Sequence, residues 1–363
     1  LSKIISISTS VPTYKHKQED LFAFADKVYS KNETDSRKLK FLYRQSSIAY
    51  RYSVAPDFTN NQSDFFPNAT TLEPFPSIED RMQWYNKNAT TLSVKAIEDC
   101  IKSEIAKGEI THLITVSCTG MSAPGLDLQI IEAMDLPKNI IRTSVNFMGC
   151  YAAIHALKIA DAFCSSTPKS NIIIVCTELC TLHFQKEISA DNITASLLFG
   201  DGCAAVLLQN DDSKKGLHID SFFADVSFKG KKDMAWELSS TGFLMTLTGY
   251  IPDLIKADFK GLVDKVLQAS EKKLADISHW CIHPGGKKIL DNIAVSMNID
   301  KTALQNSYTV LRDYGNMSSP TILFVLKKIL DELKTAESKK DATIFAAAFG
   351  PGLTMETFTA TYV

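Results

Sequence analysis

Short apolar runs recur along the chain, each closed by Gly, Pro or a polar cluster, and stretches with helical spacing lie between them. The first run, LSKIISISTSVP, stops at Pro12 and predicts a strand. Residues 20 to 55 are charged and helical in pattern, closing on FLYRQSSIAYRYS. Residues 56 to 80 are rich in Asn, Pro, Phe and Thr without a sustained period, which predicts a long surface loop. From residue 82 a helical stretch leads into the strand HLITVSC (112 to 118). A second strand, RTSVNF (142 to 147), precedes a helix that Cys150 opens. There Cys150, Ala153, Ile154, Leu157, Ala160, Asp161 and Cys164 recur at i, i+3, i+4, i+7 spacing, so one face is largely buried. The strand NIIIVCTEL (171 to 179) and a Gly-hinged hairpin in ASLLFGDGCAAVLLQND (195 to 212) complete the first half.

The second half replays this order. A strand (GLHIDSFFAD), helices near 253 to 275, the strand HWCIHPGG, a helix from Lys287, the helix SSPTILFVLKKILDELK and a closing hairpin around FGPG follow one another. Strand, FGPG, strand mirrors strand, FGDG, strand, so an internal duplication is expected, with the polar run NDDSKKG (210 to 216) as its boundary. Strands alternating with helices predict an α/β class with sheets covered on both faces, in halves 1–212 and 213–363.

Composition narrows the partners. An apolar fraction of 45% is ample for a core, and 39 basic against 41 acidic residues leave no overall electrostatic footprint for nucleic acid or an anionic membrane. The opening stretch LSKIISISTSVP is too short an apolar run for a membrane span or a signal-peptide core. The eight cysteines lie mostly inside apolar runs without CxxC pairs, which predicts reduced thiols in a cytoplasmic enzyme. Cys176, Cys180 and His183 form the one compact Cys/His set, read as one strand and its exit, and no metal is expected there.

Three polar residues stand in separate Gly-bracketed motifs: Cys150 in NFMGCYAA, His283 in HPGG and Asn316 in YGNMSS. A thiol, an imidazole and a carboxamide are what acyl transfer through a thioester needs: a nucleophile, a proton holder and a second donor for a carbonyl gaining negative charge. Cys150 at a strand-to-helix turn is expected to have a depressed pKa, with Gly149 leaving room for substrate. His283 ends an apolar strand that Pro284 stops, and so faces a cavity. Asn316 precedes a helix signalled by Ser319 as N-cap and Pro320 at its first position; read alone it is a turn residue with positive φ. The bland alternatives are a buried small thiol and a core imidazole.

Together these motifs resemble the type III polyketide synthases, the chalcone synthase-like family, over nearly the whole chain. VNFMGCYAA, IHPGGKKILD and VLRDYGNMSSPTILFVL carry the likeness most strongly, with LLFGDGCAA and FGPGLTMET as further loop signatures. The resemblance implies the thiolase fold, five layers α-β-α-β-α made of two similar halves, active as a homodimer. It implies an acyl-CoA starter loaded on Cys150, decarboxylative condensation with malonyl-CoA and cyclisation, with no metal or redox cofactor. His283 and Asn316 would hold the malonyl thioester carbonyl, and an imidazolium at His283 would pair with Cys150. Phe199 aligns with a gating Phe, and Ser318 follows the Asn in the same motif. Cys118, Cys180 and His183 fall at cavity positions usually held by Thr, Met245 where a second gating Phe is expected, and Ala348 where the GFGPG loop begins with Gly. Arg51, and less closely Arg44, stand where related synthases carry a basic residue at the coenzyme A entrance. SCTG and ELCxLHF are similar to bacterial members, several of which use aliphatic starters, so alkylpyrone- or alkylresorcinol-type products are expected.

Three rivals remain at this level. A fatty-acid-initiating ketoacyl synthase shares the three residues, but in HQAN and GNTS contexts that differ from HPGG and GNMSS; a 3-hydroxy-3-methylglutaryl-CoA synthase would need an added Glu acid. A non-catalytic binding protein on the same fold would have lost its nucleophile, and Cys150 is intact.

Overall fold

A computed structural model describes residues 2–59, 63–68, 71–335 and 341–363. The first half contributes β1 (Lys3–Ser10), β2 (Tyr14–Lys17), α1 (Gln18–Tyr29), α2 (Glu33–Gln45), β3 (Tyr50–Ser53), α3 (Ile78–Ile101), β4 (His112–Ser117), α4 (Leu126–Met134), β5 (Ile141–Asn146), α5 (Ala152–Ser166), β6 (Asn171–Leu179), α6 (Ala190–Leu198) and β7 (Asp201–Gln209). The second contributes β8 (Leu217–Val226), β9 (Met234–Ser239), β10 (Gly242–Leu247), α7 (Ile251–Ala269), β11 (Ile277–Ile282), α8 (Lys287–Met297), α9 (Gln305–Tyr314), α10 (Thr321–Thr335), β12 (Thr343–Gly350) and β13 (Thr354–Tyr362).

A nine-stranded mixed sheet runs in the order β11-β12-β13-β8-β1-β7-β6-β4-β5. Its two halves meet where β1 pairs briefly with β8, Lys3 opposite His218 and Ile4 opposite Leu217. Strand alternation then builds the layers. Ile172, Ile174 and Cys176 of β6, with Ile344 and Ala346 of β12, turn to one core shared with α5 and α10. Ile173 and Val175, with Phe345 and Ala347, turn to the opposite core, against α3 and α7. The pair α5 and α10 is therefore a central layer between sheet halves, with α3 and α4 outside one and α7 and α8 outside the other, the thiolase arrangement. The longest helix, α3, starts at a capping box: Ser77 Oγ accepts from Asp80 N–H at 3.2 Å, and an Asp80 carboxylate oxygen accepts from Ser77 N–H at 2.8 Å.

Several local expectations are corrected. The stretch before FGDG is helix α6, not a strand, so only the FGPG turn joins a hairpin, β12 to β13. The apolar run ASLL has no alternation to separate the two readings. The loop over 56 to 80 is not a surface loop: Phe58, Phe65, Phe66 and Leu72 are all buried, and Phe24, Phe58, Phe66 and Phe184 pack mostly edge to face. Asp57 Oδ1 folds it by accepting from Phe65 N–H (2.9 Å) and Phe66 N–H (2.8 Å). Residues 60–62 and 69–70 of that loop lie outside the described residues. The β9–β10 hairpin was not expected, although its register is regular from Met234 opposite Leu247 to Ser239 opposite Gly242.

Candidate active site

β5 delivers the chain to the sheet's edge, and Phe147 (φ 58°) and Gly149 (φ 79°) turn it sharply into a single 3-10 turn, Gly149–Tyr151, that precedes α5. Cys150 sits in that turn. A positive φ at a bulky residue such as Phe147 is a strained conformation, of the kind that collects at functional turns. β11 leads straight into His283, the residue after its end, whose backbone N–H is held by the Ala347 carbonyl at 2.9 Å. Asn316 follows α9 through Gly315 (φ 69°), and the positive φ expected at Asn316 falls instead on Gly315 and Ser318. Asn316 forms a parallel bridge to Phe199, with Gly200 N–H donating to Asn316 O and Asn316 N–H to Leu198 O, both at 2.9 Å. The expected N-cap role of Ser319 is not seen: its hydroxyl donates to Glu178 Oε1 at 2.6 Å.

Cys150, His283, Asn316 and Ser318 border one cavity, together with Phe199, Cys118, Cys180, His183, Met245 and Arg51. Counted out to its mouth it holds about 1310 Å³, and Leu21, Phe24, Phe58, Phe184 and Leu247 give it a long apolar wall. The Cys150 thiol donates to Ser318 Oγ at 3.7 Å. Burial pushes its pKa up to about 12, with the Ser318 contact opposing, so desolvation overrides the helix start and the expected depression is overturned. His283 is buried, neither ring nitrogen has a hydrogen-bond partner among the described residues, and burial pulls its pKa down to about 3. Burial thus favours the neutral form of both groups, and no hydrogen bond joins His283 to Cys150 among the described residues. Asn316 is oriented through its carbonyl oxygen, which accepts from Ser318 N–H at 2.8 Å, while its amide nitrogen is only loosely engaged, 3.5 Å from Gly285 O.

The remaining cavity residues divide by what already holds them. Cys118 Sγ accepts from Gly149 N–H at 3.0 Å and so braces the nucleophile turn. His183 spends both ring nitrogens on backbone, Nε2–H to Thr119 O at 2.8 Å and Nδ1 from Phe243 N–H at 3.0 Å, and stacks on Phe243 at 4.3 Å; burial holds its pKa near about 3. It shapes the wall and has no polar edge left for substrate. Met245 lies on β10 and Cys180 beyond β6, both partly buried. Arg51 is not at a surface entrance. It is 4% exposed, its Nε donates to Gln18 Oε1 at 3.0 Å and its Nη1 to the Phe199 carbonyl at 2.5 Å, because a buried guanidinium must find acceptors inside. Arg44 is exposed on α2.

Sequence reasoning missed Glu178. This buried carboxylate accepts from Ser319 Oγ, Cys118 N–H (2.9 Å) and Thr119 Oγ1 (2.7 Å), tying the Asn316 segment to the Cys118 strand end, and burial raises its pKa. A lone acid inside the apolar strand NIIIVCTEL was the available signal. Among the described residues no cluster of His, Cys, Asp and Glu could hold a metal ion.

Comparison with known proteins agrees with this geometry. The profiles of the chalcone and stilbene synthases match over residues 1–212 for their N-terminal domain and 223–363 for their C-terminal domain. The "alpha-pyrone synthesis polyketide synthase-like Pks18" of Mycobacterium tuberculosis is 30% identical, over 87% of this chain and 80% of its own length. The "probable polyketide synthase 1" of Dictyostelium discoideum is also 30% identical, over 98% of this chain, which spans only 11% of that protein. The crystal structure of PKS-I from the brown alga Ectocarpus siliculosus superposes with a TM-score of 0.93 at 25% identity, covering 100% of this chain and 98% of that one. A fold in two thiolase-like halves, a cavity where thiol, imidazole and carboxamide converge, and both profiles end to end lead to one assignment: the chain belongs to the chalcone and stilbene synthase family, the type III polyketide synthases, which are condensing acyltransferases.

Proposed function

We propose that the protein loads an acyl group from an acyl-CoA onto Cys150, extends it with malonyl-CoA and releases a cyclised alkylpyrone- or alkylresorcinol-type product. The observation that carries this reading is the single cavity in which a buried thiol, an imidazole with both nitrogens unpaired and a loosely engaged carboxamide face a long apolar wall. His283 takes the thiol proton as Cys150 attacks the starter thioester, and gives it to the departing coenzyme A. The neutral imidazole N–H and the Asn316 amide then donate to the malonyl thioester carbonyl while carbon dioxide leaves. The resulting enolate attacks the Cys150-bound acyl carbon, and the cysteine is released as the chain transfers. Donors preset for such an enolate contribute roughly 3–4 kcal/mol each in comparable oxyanion holes.

The apolar wall, Met245 in place of a rigid ring and the α-pyrone name of the mycobacterial relative support an aliphatic starter. Each methylene buried there contributes about 0.8 kcal/mol. Edge strand β5, with Ile141 49% exposed and no partner strand on its outer side among the described residues, supports a homodimer formed along that edge.

The test is mass spectrometry of products from malonyl-CoA with a ladder of saturated acyl-CoAs and p-coumaroyl-CoA. Medium- and long-chain starters should give the highest specificity constants, Cys150→Ala no product, and His283→Ala or Asn316→Ala about a hundredfold less malonyl-CoA decarboxylation or worse. A preference for p-coumaroyl-CoA would remove the aliphatic starter alone; turnover by Cys150→Ala would remove the mechanism.

A further inference from the structure

The near-zero net charge conceals a local concentration of positive charge. In the turn between β8 and β9, Lys229, Lys231 and Lys232 are exposed and form no ion pair among the described residues. Phe228 beside them is 79% exposed and Tyr250, at the start of α7, 72% exposed. The two segments are clamped together: Thr248 N–H donates to Asp233 O at 3.0 Å and Thr248 Oγ1 to Asp233 Oδ1 at 2.7 Å. Of the acids on the surrounding elements, Asp225 pairs with Lys265 at 2.7 Å and Asp253 with Lys288 at 3.3 Å, Asp233 and Asp258 accept from the hydroxyls of Thr248 and Ser227, and Glu237 is exposed on β9. Three exposed lysines that form no ion pair among the described residues and two exposed rings therefore lie on these two clamped segments.

These segments continue directly into the cavity wall. Met234 and Leu247, paired across β9 and β10 immediately next to them, both border the cavity. We infer that this patch docks the protein on an anionic lipid bilayer, the lysines meeting headgroup phosphates and Phe228 and Tyr250 seating in the interfacial layer. The bilayer is favoured over an acidic protein because exposed rings stand beside the lysines on segments that continue into the wall of an apolar cavity. The inference goes beyond the condensation chemistry and holds whichever acyl group is loaded.

Co-sedimentation of the full chain with vesicles tests it. The protein should pellet with phosphatidylcholine–phosphatidylglycerol vesicles and not with phosphatidylcholine alone, and binding should fall as salt rises. Replacing Lys229, Lys231 and Lys232 with Gln together should weaken partition about a hundredfold, from roughly 1 kcal/mol per lysine near an anionic surface. Phe228→Ser with Tyr250→Ser should weaken it about tenfold or more. Both variants should keep malonyl-CoA decarboxylation, since none of these side chains borders the cavity. Wild-type protein left in the supernatant at low salt would overturn the docking and leave the patch to an acidic protein surface. Equal partition of the lysine variant would overturn it as well.

Discussion

The thiol of Cys150 is held neutral by its surroundings, which has a direct kinetic signature. Alkylation proceeds through the thiolate, and with the pKa pushed up to about 12 the thiolate fraction keeps rising tenfold per pH unit well beyond the range of an ordinary thiol. Iodoacetamide labelling of Cys150, followed by peptide mass spectrometry, should therefore accelerate steadily from pH 7 to pH 10; a plateau near neutrality would show that His283 activates the thiol in the free enzyme after all. That Cys150, His283 and Asn316 would meet in one cavity was legible because each is bracketed by residues that stop an element, Gly149, Pro284 and Gly315. Their ionisation was not, because it depends on burial set by distant strands. Arg51 shows the same limit: a basic residue read as facing coenzyme A turned out to be an internal donor to the Phe199 carbonyl.

Among the elements, the nucleophile turn and the FGPG turn fit into each other. A Cβ on Gly149 would come within 2.2 Å of Pro351 Cδ, and one on Gly350 within 2.5 Å of Tyr151 Cδ1. The room kept free by Gly149 is thus taken by the other half of the protein and not by substrate. Because Gly149 also needs its positive φ, Gly149→Ala combines a steric clash with roughly 1–2 kcal/mol of backbone cost. It should lower the urea midpoint and reduce condensation at least tenfold, while Gly108→Ala, with open space around it, should change neither. The FGPG hairpin could be read from its strands, since AFGPGLTMETFT alternates into a β-rich run. Helix α6 and the β9–β10 hairpin could not, because a short apolar run carries no period and Trp236 and Met245 draw their burial from cavity partners far off in sequence.

At the scale of the whole molecule, burial of sulfur sets a limit to alkaline stability. All eight thiols have pKa values raised by burial. The native state holds its thiol protons where the unfolded chain releases them, so this contribution is intact below the ordinary thiol value of 9.0 and is lost as pH climbs above it. For each fully buried thiol, such as Cys118, Cys176, Cys203 or Cys281, the slope is about 1.4 kcal/mol per pH unit. The thermal midpoint should hold between pH 7 and pH 8.5 and drop steeply by pH 10, and substituting Cys281 with Ala should flatten that drop. The α/β class was legible from strands alternating with helices, whereas the lysine-rich turn was not, since a summed charge says nothing about where charges gather.

The bridge between Phe199 and Asn316 bears on how such an enzyme can change its products. One backbone ladder, pinned by Arg51, carries both a wall residue of the cavity and the amide proposed to stabilise the enolate. Sliding the FGDG loop to enlarge the cavity would drag that amide out of line. New starter ranges are thus reachable through side-chain volume at positions such as Met245 and Cys180, on segments that carry no share of the chemistry, and a directed library gains most by varying those walls while leaving residues 198 to 201 untouched.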